Sequence, residues 1–363
     1  MKENLTSLDV HHLVRDFQRL VGSRLAKVYQ GPKERKRDLL FQFHRQGEKP
    51  LVRILLPGYA YIAEEKPAVD QAPGDFAMFL RKHVGNARVV AVRQRGFDRI
   101  LEFELENKNG KFVLLFELLP PGNALLLNAQ GKIVNLLEPK RMGQRLVRGG
   151  AIYEPPPAQF DTASATDDEI ASRLLESNKE LVKAIAIDLG LGGEYAEEAC
   201  ARSGSDKHAK GLAKKEMLLI AGAIKDLFSP GTACGSEKEV FPFQLTSKSC
   251  PETFPSFSRA IEQLLPTLPS SSPASIAKKT VQSKRLEVLR QQELALEGFT
   301  KAAVEHQRKG ELLYAHYQDV DSLLRRLREA RAASSWAEVK RTFKDPLLVK
   351  IDEEKAEITI ELE

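Results

Sequence analysis

A chain of 363 residues exceeds the usual size of one domain, so we expect two or three structural units. Its 42% hydrophobic and 29% charged residues are ordinary for a soluble globular protein, and none of its apolar stretches is long enough to span a membrane. Its net charge of +5 would hardly attract a polyanion if it were spread evenly. These values exclude a membrane-spanning chain and a uniformly basic one.

Residues up to about 155 predict an α+β domain rich in antiparallel strands. Leu8–Leu20 has helical spacing with Ser7 as its predicted N-cap, and a second helix is predicted over Phe76–His83. The order helix, hairpins, helix, hairpins lacks the alternation typical of a parallel sheet. The predicted strands are Arg24–Tyr29, Asp38–His44, Pro50–Leu55, Tyr59–Ile62, Arg88–Arg95, Ile100–Glu106, Lys111–Leu118, Asn123–Asn128 and Lys132–Leu137.

After Pro155–Pro157 the pattern becomes helical, between Glu169 and Phe228 and again over Ser256–Leu264. A long charged helix is then predicted from Ser275 to Arg331. Its apolar stripe needs a partner, and no second long helix follows. The chain is therefore a fragment, which we favour, or the partner helix belongs to another chain. The stripe residues are Leu286, Leu289, Leu296, Phe299 and Ala303.

The last segment predicts a short helix and a hairpin. Ser335 and Glu338 have the spacing of a capping box for a helix through Phe343. Val349–Ile351 and the alternating residues from Ile358 onward then predict two paired strands.

Four cationic clusters lie in the first half of the chain. Affinity for phosphate chains follows the number of charges neutralised locally, so four clusters in one domain favour nucleic acid, although a solvated face explains any single one. The clusters are Lys33/Arg35/Lys36/Arg37, Arg81/Lys82/His83, Arg93/Arg95/Arg99 and Lys140/Arg141/Arg145/Arg148.

Enzyme signatures are absent, since the sequence contains no P-loop, dinucleotide-binding fingerprint, GxSxG or HExxH motif. The adjacent His11 and His12 diverge on a helix and make a poor metal pair. The three cysteines lack a CxxC pair and predict incidental thiols in a reducing cytosol. We expect no catalytic residue, metal or cofactor, and the polar N-terminus predicts a cytoplasmic protein.

The segment Ala186–Glu198 predicts a helix-hairpin-helix. Gly190, Gly192 and Gly193 would form a tight turn whose exposed amides face a helix N-terminus, which suits a phosphate oxygen. An ordinary turn with glycine caps explains the same pattern. The cationic residues Lys207, His208, Lys210, Lys214 and Lys215 downstream favour phosphate.

A second feature is the pair Asp98 and Arg99 at a turn into a strand. An arginine can stack on a base or bind phosphate through two nitrogens, and a carboxylate can accept from a base amino group. The alternative is a local salt bridge between the two residues.

Several segments together resemble the NFACT family, which includes bacterial RqcH and eukaryotic NEMF. The resemblance implies an NFACT-N domain over 1–157, similar to the N-terminal domain of formamidopyrimidine-DNA glycosylases. It further implies a helix-hairpin-helix domain over 165–265 and a first coiled-coil helix with a truncated middle (tip) domain over 274–363. The segments are Asp9, Phe76–Met78, Leu80–His83, Gly96–Ile100, Glu117-Leu118, Gly122-Asn123, Arg148–Gly150, Tyr153 and Pro155-Pro156.

The resemblance implies a factor of ribosome-associated quality control. Such factors bind large ribosomal subunits carrying obstructed peptidyl-tRNA, recruit tRNA and support untemplated tailing of the stalled chain. The implied partners are tRNA, with alanyl-tRNA as one candidate, the large subunit and its rRNA. The truncated coil is a further candidate for self-association, and no membrane partner is expected.

The residues that match the family's tRNA-engaging positions are Asp9, Asp98 and Arg99. The resemblance implies that Arg99 meets the bases or backbone of the anticodon loop, that Asp98 orients Arg99 or accepts from a base, and that Asp9 supports the same surface. To these we add Arg95, Arg81 and Lys82 from the cationic clusters as predicted tRNA contacts. Gly190, Gly192 and Gly193 form the predicted phosphate-binding hairpin.

Two other functions were weighed. A glycosylase-like enzyme needs an N-terminal proline amine, whereas Lys2 follows Met1 here. A surface adhesin, as in the family's older fibronectin-binding name, needs export, which the polar N-terminus does not support.

Overall fold

The computed structural model describes residues 4–32, 35–64, 66, 74–142, 145–236, 239–264, 292, 296, 298–300, 302–352 and 357–362. The chain divides into two compact units, Met1–Ile276 and Ala277–Glu363, which are described separately. The finer domain bounds at 157, 165, 265 and 274 stay predictions.

A nine-stranded antiparallel sheet forms the first part of unit 1, in the order β4-β3-β2-β1-β5-β6-β7-β8-β9. The predicted strands are confirmed, with ends that shift by no more than one residue, and so is the mixed α+β class. The strands are β1 (Arg24–Gln30), β2 (Asp38–His44), β3 (Leu51–Leu55), β4 (Tyr59–Ala63), β5 (Arg88–Gln94), β6 (Ile100–Asn107), β7 (Gly110–Glu117), β8 (Asn123–Asn128) and β9 (Ile133–Leu136).

The sheet curls so that its two ends face each other. The rings of Phe41 on β2 and Phe116 on β7 have centroids 5.3 Å apart. These strands are four places apart in the strand order, which would separate them by about 19 Å in a flat sheet. Phe43 on β2 and Phe103 on β6 also stack, at 6.2 Å. The apolar core therefore lies between two layers of one curled sheet.

Two helices accompany the sheet, α1 (Ser7–Phe17) and α2 (Asp75–Val84). The prediction of Ser7 as N-cap is wrong by one residue, because Thr6 caps α1. The Thr6 hydroxyl accepts from the Asp9 amide at 3.2 Å, and the Asp9 carboxylate accepts from the Thr6 amide at 2.7 Å. This reciprocal pair is a capping box, which aspartate completes in place of the usual glutamate.

The remainder of unit 1 is mainly helical. A short hairpin joins β10 (Lys140–Met142) to β11 (Arg145–Val147), and a three-stranded sheet contains β12 (Ala233–Ser236), β13 (Glu239–Phe241) and β14 (Glu252–Phe254). These five strands were not predicted, because segments of three or four residues carry little alternation. The helices are α3 (Asp167–Leu175), α4 (Leu181–Lys183, continued by a π-helix over Ala184–Asp188), α5 (Gly193–Ser203), α6 (Lys214–Asp226) and α7 (Phe257–Leu264).

The prediction of three incidental thiols is wrong for two of the cysteines. Cys234 and Cys250 form a disulfide, whereas Cys200 is free and buried. Antiparallel pairing of β12 with β14 brings the two segments together, and their Cα atoms are 5.7 Å apart, within the range that a disulfide requires. A separation of 16 residues without a CxxC pattern gave no signal of this pairing.

The sheet and the helical part share their apolar cores. Phe257 and Ile261 of α7 belong to the core of the curled sheet. In the other direction, Leu8 of α1 and Phe97 of the β5–β6 turn belong to the core of the helical part. Unit 1 is therefore joined by buried apolar contacts on both sides of the proline-rich segment.

Unit 2 contains helices α8 (302–315), α9 (Tyr317–Ala333) and α10 (Trp336–Thr342), with a hairpin of β15 (Leu348–Asp352) and β16 (Glu357–Ile360). The predicted long helix is interrupted at His316, whose φ of −102° and ψ of 25° are not helical. Ser335 begins α10, but its side chain makes no capping hydrogen bond, so the predicted capping box is wrong.

The predicted stripe is exposed where it is described. Leu296 is 67% exposed and Phe299 is 73% exposed. Leu286 and Leu289 lie outside the described residues. Within the part of the chain that the structure describes, no helix combines the length and apolar character needed to cross a membrane.

The docking of α1 predicts a loss of stability in acid. His12 is buried, and its Nε2 donates to the Leu227 carbonyl at 2.8 Å. Burial lowers the pKa of His12 from 6.5 to about 4. As the pH falls, His12 is therefore protonated at a higher pH in the unfolded chain than in the folded protein. The stability that the neutral His12 gives the folded protein above pH 6.5 is lost as the pH falls towards 4. We expect the free energy of unfolding to drop by about 2 kcal/mol from this residue between pH 7 and pH 5.

Chemical denaturation at a series of pH values measures this drop. In a His12→Gln variant, which keeps an amide donor but cannot take up the proton, the slope of unfolding free energy against pH should flatten. An unchanged slope would show that other groups cause the acid sensitivity.

Candidate nucleic-acid interface

Three segments that are far apart in sequence meet in unit 1. A Cβ placed on Gly192 would lie 3.3 Å from the Thr6 side chain, and one placed on Gly190 would lie 4.0 Å from the Phe97 ring. The Gln94 side chain donates to a carbonyl of α1, that of Ser7, at 2.8 Å. We call residues 6–9, 94–99 and 190–195 together the junction. Most of the predicted site residues lie in it.

Asp9 lies inside the junction, fully buried. One carboxylate oxygen accepts from the Thr6 amide and hydroxyl, at 2.7 and 2.9 Å, and the other accepts from the Tyr195 hydroxyl of α5. In this conformation Asp9 contacts other parts of the protein and is not available to a macromolecule at the surface. Its predicted supporting role stays a prediction.

Asp98 and Arg99 do not form the salt bridge weighed as an alternative. The Asp98 carboxylate accepts from the backbone amide of Arg99, at 2.7 Å, and no ion pair joins the two side chains. Asp98 is 8% exposed, whereas Arg99 is half-buried. Asp98 is therefore occupied in shaping the turn, and the guanidinium of Arg99 is left for another partner.

The Arg99 guanidinium has no hydrogen-bond or ion-pair partner among the described residues. Burial lowers the pKa of Arg99, while the carboxylates of Asp98 and Asp9 oppose that shift. A partly desolvated cation with unused donors gains more from a bound anion than an exposed lysine does.

The three other predicted contacts are placed differently. Arg95 pairs with Glu102 on the neighbouring strand and lies over the Tyr153 ring, 5.4 Å from its centroid. The Arg81 guanidinium donates to the Val28 carbonyl at 2.7 Å. Both are already engaged within the protein, whereas Lys82 is exposed. Arg81 and Lys82 lie on α2, which packs on β1, β6 and β9, so they belong to an element outside the junction.

The four cationic clusters are partly neutralised, because acidic side chains pair with several of their members. Glu138 contacts Lys36, Arg37 and Lys140 at 2.7, 2.8 and 3.2 Å. The hydrogen bonds from Arg37 and Lys36 lower the pKa of Glu138 to about 2, although burial opposes them. Arg93 pairs with Glu104 and the buried Arg145 with Glu117, and Lys33 lies outside the described residues.

The glycine turn precedes α5 as predicted. Gly190 and Gly192 have φ values of +70° and +83°, which residues with a side chain rarely adopt. The Gly192 amide donates to the Ala186 carbonyl at 3.2 Å and closes the turn. No side chain caps α5, and the amides of Gly193 and Glu194 have no acceptor among the described residues.

The N-terminus of α5 therefore offers unused donors and a positive dipole end. The Glu194 carboxylate in the same turn opposes an anion there. A single phosphate oxygen is a better fit than a free multivalent anion, because the diester carries one charge.

Sequence reasoning missed Tyr195 and Gln94. Tyr195 is the largest fully buried side chain, and its ring packs against Phe241 and Phe243 at 6.2 and 5.6 Å. Its position directly after the glycine turn was visible, but its partner Asp9 is 186 residues away in sequence. No group of three or more histidine, cysteine or acidic side chains suited to a metal occurs among the residues described.

Comparison with known proteins agrees with this fold. The family model of the NFACT N-terminal and middle domains matches residues 6–359. The archaeal Rqc2 homolog aRqcH of Methanocaldococcus jannaschii is 29% identical over an alignment 396 positions long, which covers 100% of this chain and 58% of that protein. The Rqc2 homolog RqcH of Bacillus subtilis is 27% identical over 62% of this chain and 41% of its own length.

Yeast ribosome quality control complex subunit 2 is 31% identical over 50% of this chain and 17% of its own length. Among solved structures, the N-terminal part of the fibronectin/fibrinogen-binding protein of Streptococcus suis superposes with a TM-score of 0.60 at 19% identity, over 72% of this chain and 99% of that one. The fibrinogen-binding protein of Staphylococcus aureus gives 0.58 at 17% identity, over 71% and 97%. At such identities the likeness concerns the fold alone.

Proposed function

The chain belongs to the NFACT family, and on that premise we propose that it acts in ribosome-associated quality control on the large ribosomal subunit. The yeast relative is named as a ribosome quality control complex subunit, and the archaeal and bacterial relatives are named as homologs of Rqc2. The chain spans 58% of the length of the archaeal relative. The activity of the longer protein is therefore a proposal for this chain.

Within this role, the junction binds tRNA. The observation that supports this most is the Arg99 guanidinium, half-buried and without a partner among the described residues, in the segment that adjoins the glycine turn. An anionic RNA backbone or a base edge would satisfy its donors and offset the cost of its burial. The amides at the start of α5 supply a second contact to the backbone.

The other elements have supporting roles in the proposal. Helix α4, the glycine turn and α5 act as a helix-hairpin-helix that holds phosphate. Helices α8 and α9 belong to a coiled-coil arm that reaches rRNA. The chain carries out no chemical step; it holds tRNA, with alanyl-tRNA as one candidate, while the ribosome elongates the stalled chain. The proposal also implies a cytoplasmic protein.

Crosslinking in cells tests the proposal. The whole protein is crosslinked with ultraviolet light, purified under denaturing conditions, and its attached RNA is sequenced. We expect tRNA to be enriched at least about tenfold over an Arg99→Gln variant processed in parallel, because one charged contact contributes about 1.5 to 3 kcal/mol. Large-subunit rRNA, which α8 and α9 contact in this proposal, should be recovered equally from both proteins.

An equal yield of tRNA from the variant would show that Arg99 is not part of the tRNA site. Enrichment of messenger RNA without tRNA or rRNA would contradict the proposed role itself. Crosslinks to DNA alone would favour the glycosylase-like alternative.

A further inference from the structure

Two hydrogen-bond bridges join the parts of the junction. The Tyr195 hydroxyl on α5 donates to Asp9 on α1. The Gln94 side chain on β5 donates to the Ser7 carbonyl of α1 and to the Asp98 carbonyl of the turn, both at 2.8 Å. Tyr195 and Asp9 are fully buried. Tyr195 and Asp9 therefore connect the segments of the junction from the interior, whereas Gln94 is half-buried.

The side-chain donors of both bridges are satisfied. The two N–H groups of the Gln94 amide have one carbonyl each, so the spacing between α1 and the Asp98–Arg99 turn is fixed from both sides. The Asp9 carboxylate uses one oxygen for Thr6, which caps α1, and the other for Tyr195. Helix α1 is thus the common support of the turn and of α5.

We propose that Tyr195 and Gln94 are positioning residues of the tRNA site, holding Arg99 and the N-terminus of α5 at a fixed separation so that both contact one stretch of RNA backbone. The inference rests on the proposed function. Groups whose spacing is already fixed in the folded protein lose little conformational entropy when RNA binds, so binding is stronger. Loosening either bridge should therefore weaken binding while leaving Arg99 itself in place.

Tyr195→Phe is the most direct variant, because it keeps the ring that packs on Phe241 and Phe243 and removes only the hydroxyl. We expect its dissociation constant for tRNA to rise about tenfold. Gln94→Met, of similar length but without donors, should act in the same direction. Tyr61→Phe is the matched control, since it removes a buried hydroxyl that accepts from Arg53 at 3.3 Å, on β4.

A double-substitution cycle with Arg99→Gln separates positioning from general stability. If Tyr195 acts through the Arg99 turn, Tyr195→Phe should add less than about twofold to the dissociation constant when Arg99 is already replaced. Fully additive effects, or an equal effect of Tyr61→Phe, would show that Tyr195 only stabilises the fold and would overturn the inference.

Hydrogen exchange gives a readout that needs no RNA. In Tyr195→Phe the amides of Arg99 and Gly192, which donate to the Asp98 carboxylate and the Ala186 carbonyl, should exchange faster, with the middle of α5 unchanged. If the wild-type chain fails to bind tRNA, the proposed function falls, and the exchange pattern alone decides whether Tyr195 positions the two segments. If wild type binds and Arg99→Gln weakens it, but exchange is unaltered, only the positioning inference falls.

Discussion

The Arg99→Gln variant is expected to bind tRNA about tenfold to a hundredfold more weakly than wild type, with no loss of thermal stability. The binding loss follows because glutamine keeps a polar amide but is shorter than arginine, lacks its charge and has two N–H donors in place of five. The stability should hold because the Arg99 guanidinium has no partner among the described residues and its burial is unfavourable, as its lowered pKa shows. Filter binding and a melting curve measure the two effects.

Salt dependence tests the same contact in another way. The slope of log affinity against log salt should be shallower for Arg99→Gln by nearly one, because one fewer counterion is released. Arg93→Gln is the matched control, since Arg93 is already paired with Glu104 and its side chain is 58% exposed. A control that lost as much affinity as Arg99→Gln would point to general charge rather than to a specific site.

Glu198→Ala is expected to destabilise unit 1 by about 3 to 5 kcal/mol, the largest stability change predicted here. The Glu198 carboxylate is fully buried and accepts from the Thr246 and Ser247 amides, both at 2.9 Å, and from Arg202 at 2.7 Å. Its removal leaves these donors unsatisfied inside the protein. We expect the melting temperature to fall by about 10 °C or more.

The neighbour Glu197 provides the control. Its side chain is 46% exposed and lies 3.8 Å from Lys207, so Glu197→Ala should change the stability by less than about 0.5 kcal/mol. The hydrogen bonds from Thr246 and Arg202 hold the pKa of Glu198 at about 2, below 4.5. Its stabilisation is thus present above pH 4.5 and is lost as the pH falls towards 2. Equal melting temperatures for the two variants would refute this account.

The curled sheet could be predicted from sequence because its strands alternate strongly and are separated by turn residues. β12 to β14 could not be predicted, since they are short and β12 pairs with residues of β14 that lie 17 to 21 positions later. The Cys234–Cys250 disulfide, with its separation of 16 residues, illustrates the same difficulty. The cationic clusters misled for a similar reason. Sequence shows that Lys36 and Arg37 are adjacent, but not that Glu138, about a hundred residues later, lies between them and Lys140.

The candidate site was predicted in pieces. Asp98 and Arg99 were singled out as a motif, and the glycine turn by its spacing, yet nothing in the sequence places them side by side. Tyr195 and Gln94, which we propose maintain that proximity, have their partners in α1. Motif matching singled out Asp9 but not its surroundings, since the capping box and the Tyr195 bridge that bury it join distant segments.

The shared cores on either side of the proline-rich segment have a thermodynamic consequence. Phe97 is buried among helical residues, and Phe257 among sheet residues, so neither part can melt without exposing the apolar surface of the other. Melting of unit 1 should be a single cooperative event. A ligand that binds where the two parts meet therefore stabilises both of them against unfolding by the same free energy. Bound tRNA should thus stabilise even the strands at the far edge of the sheet.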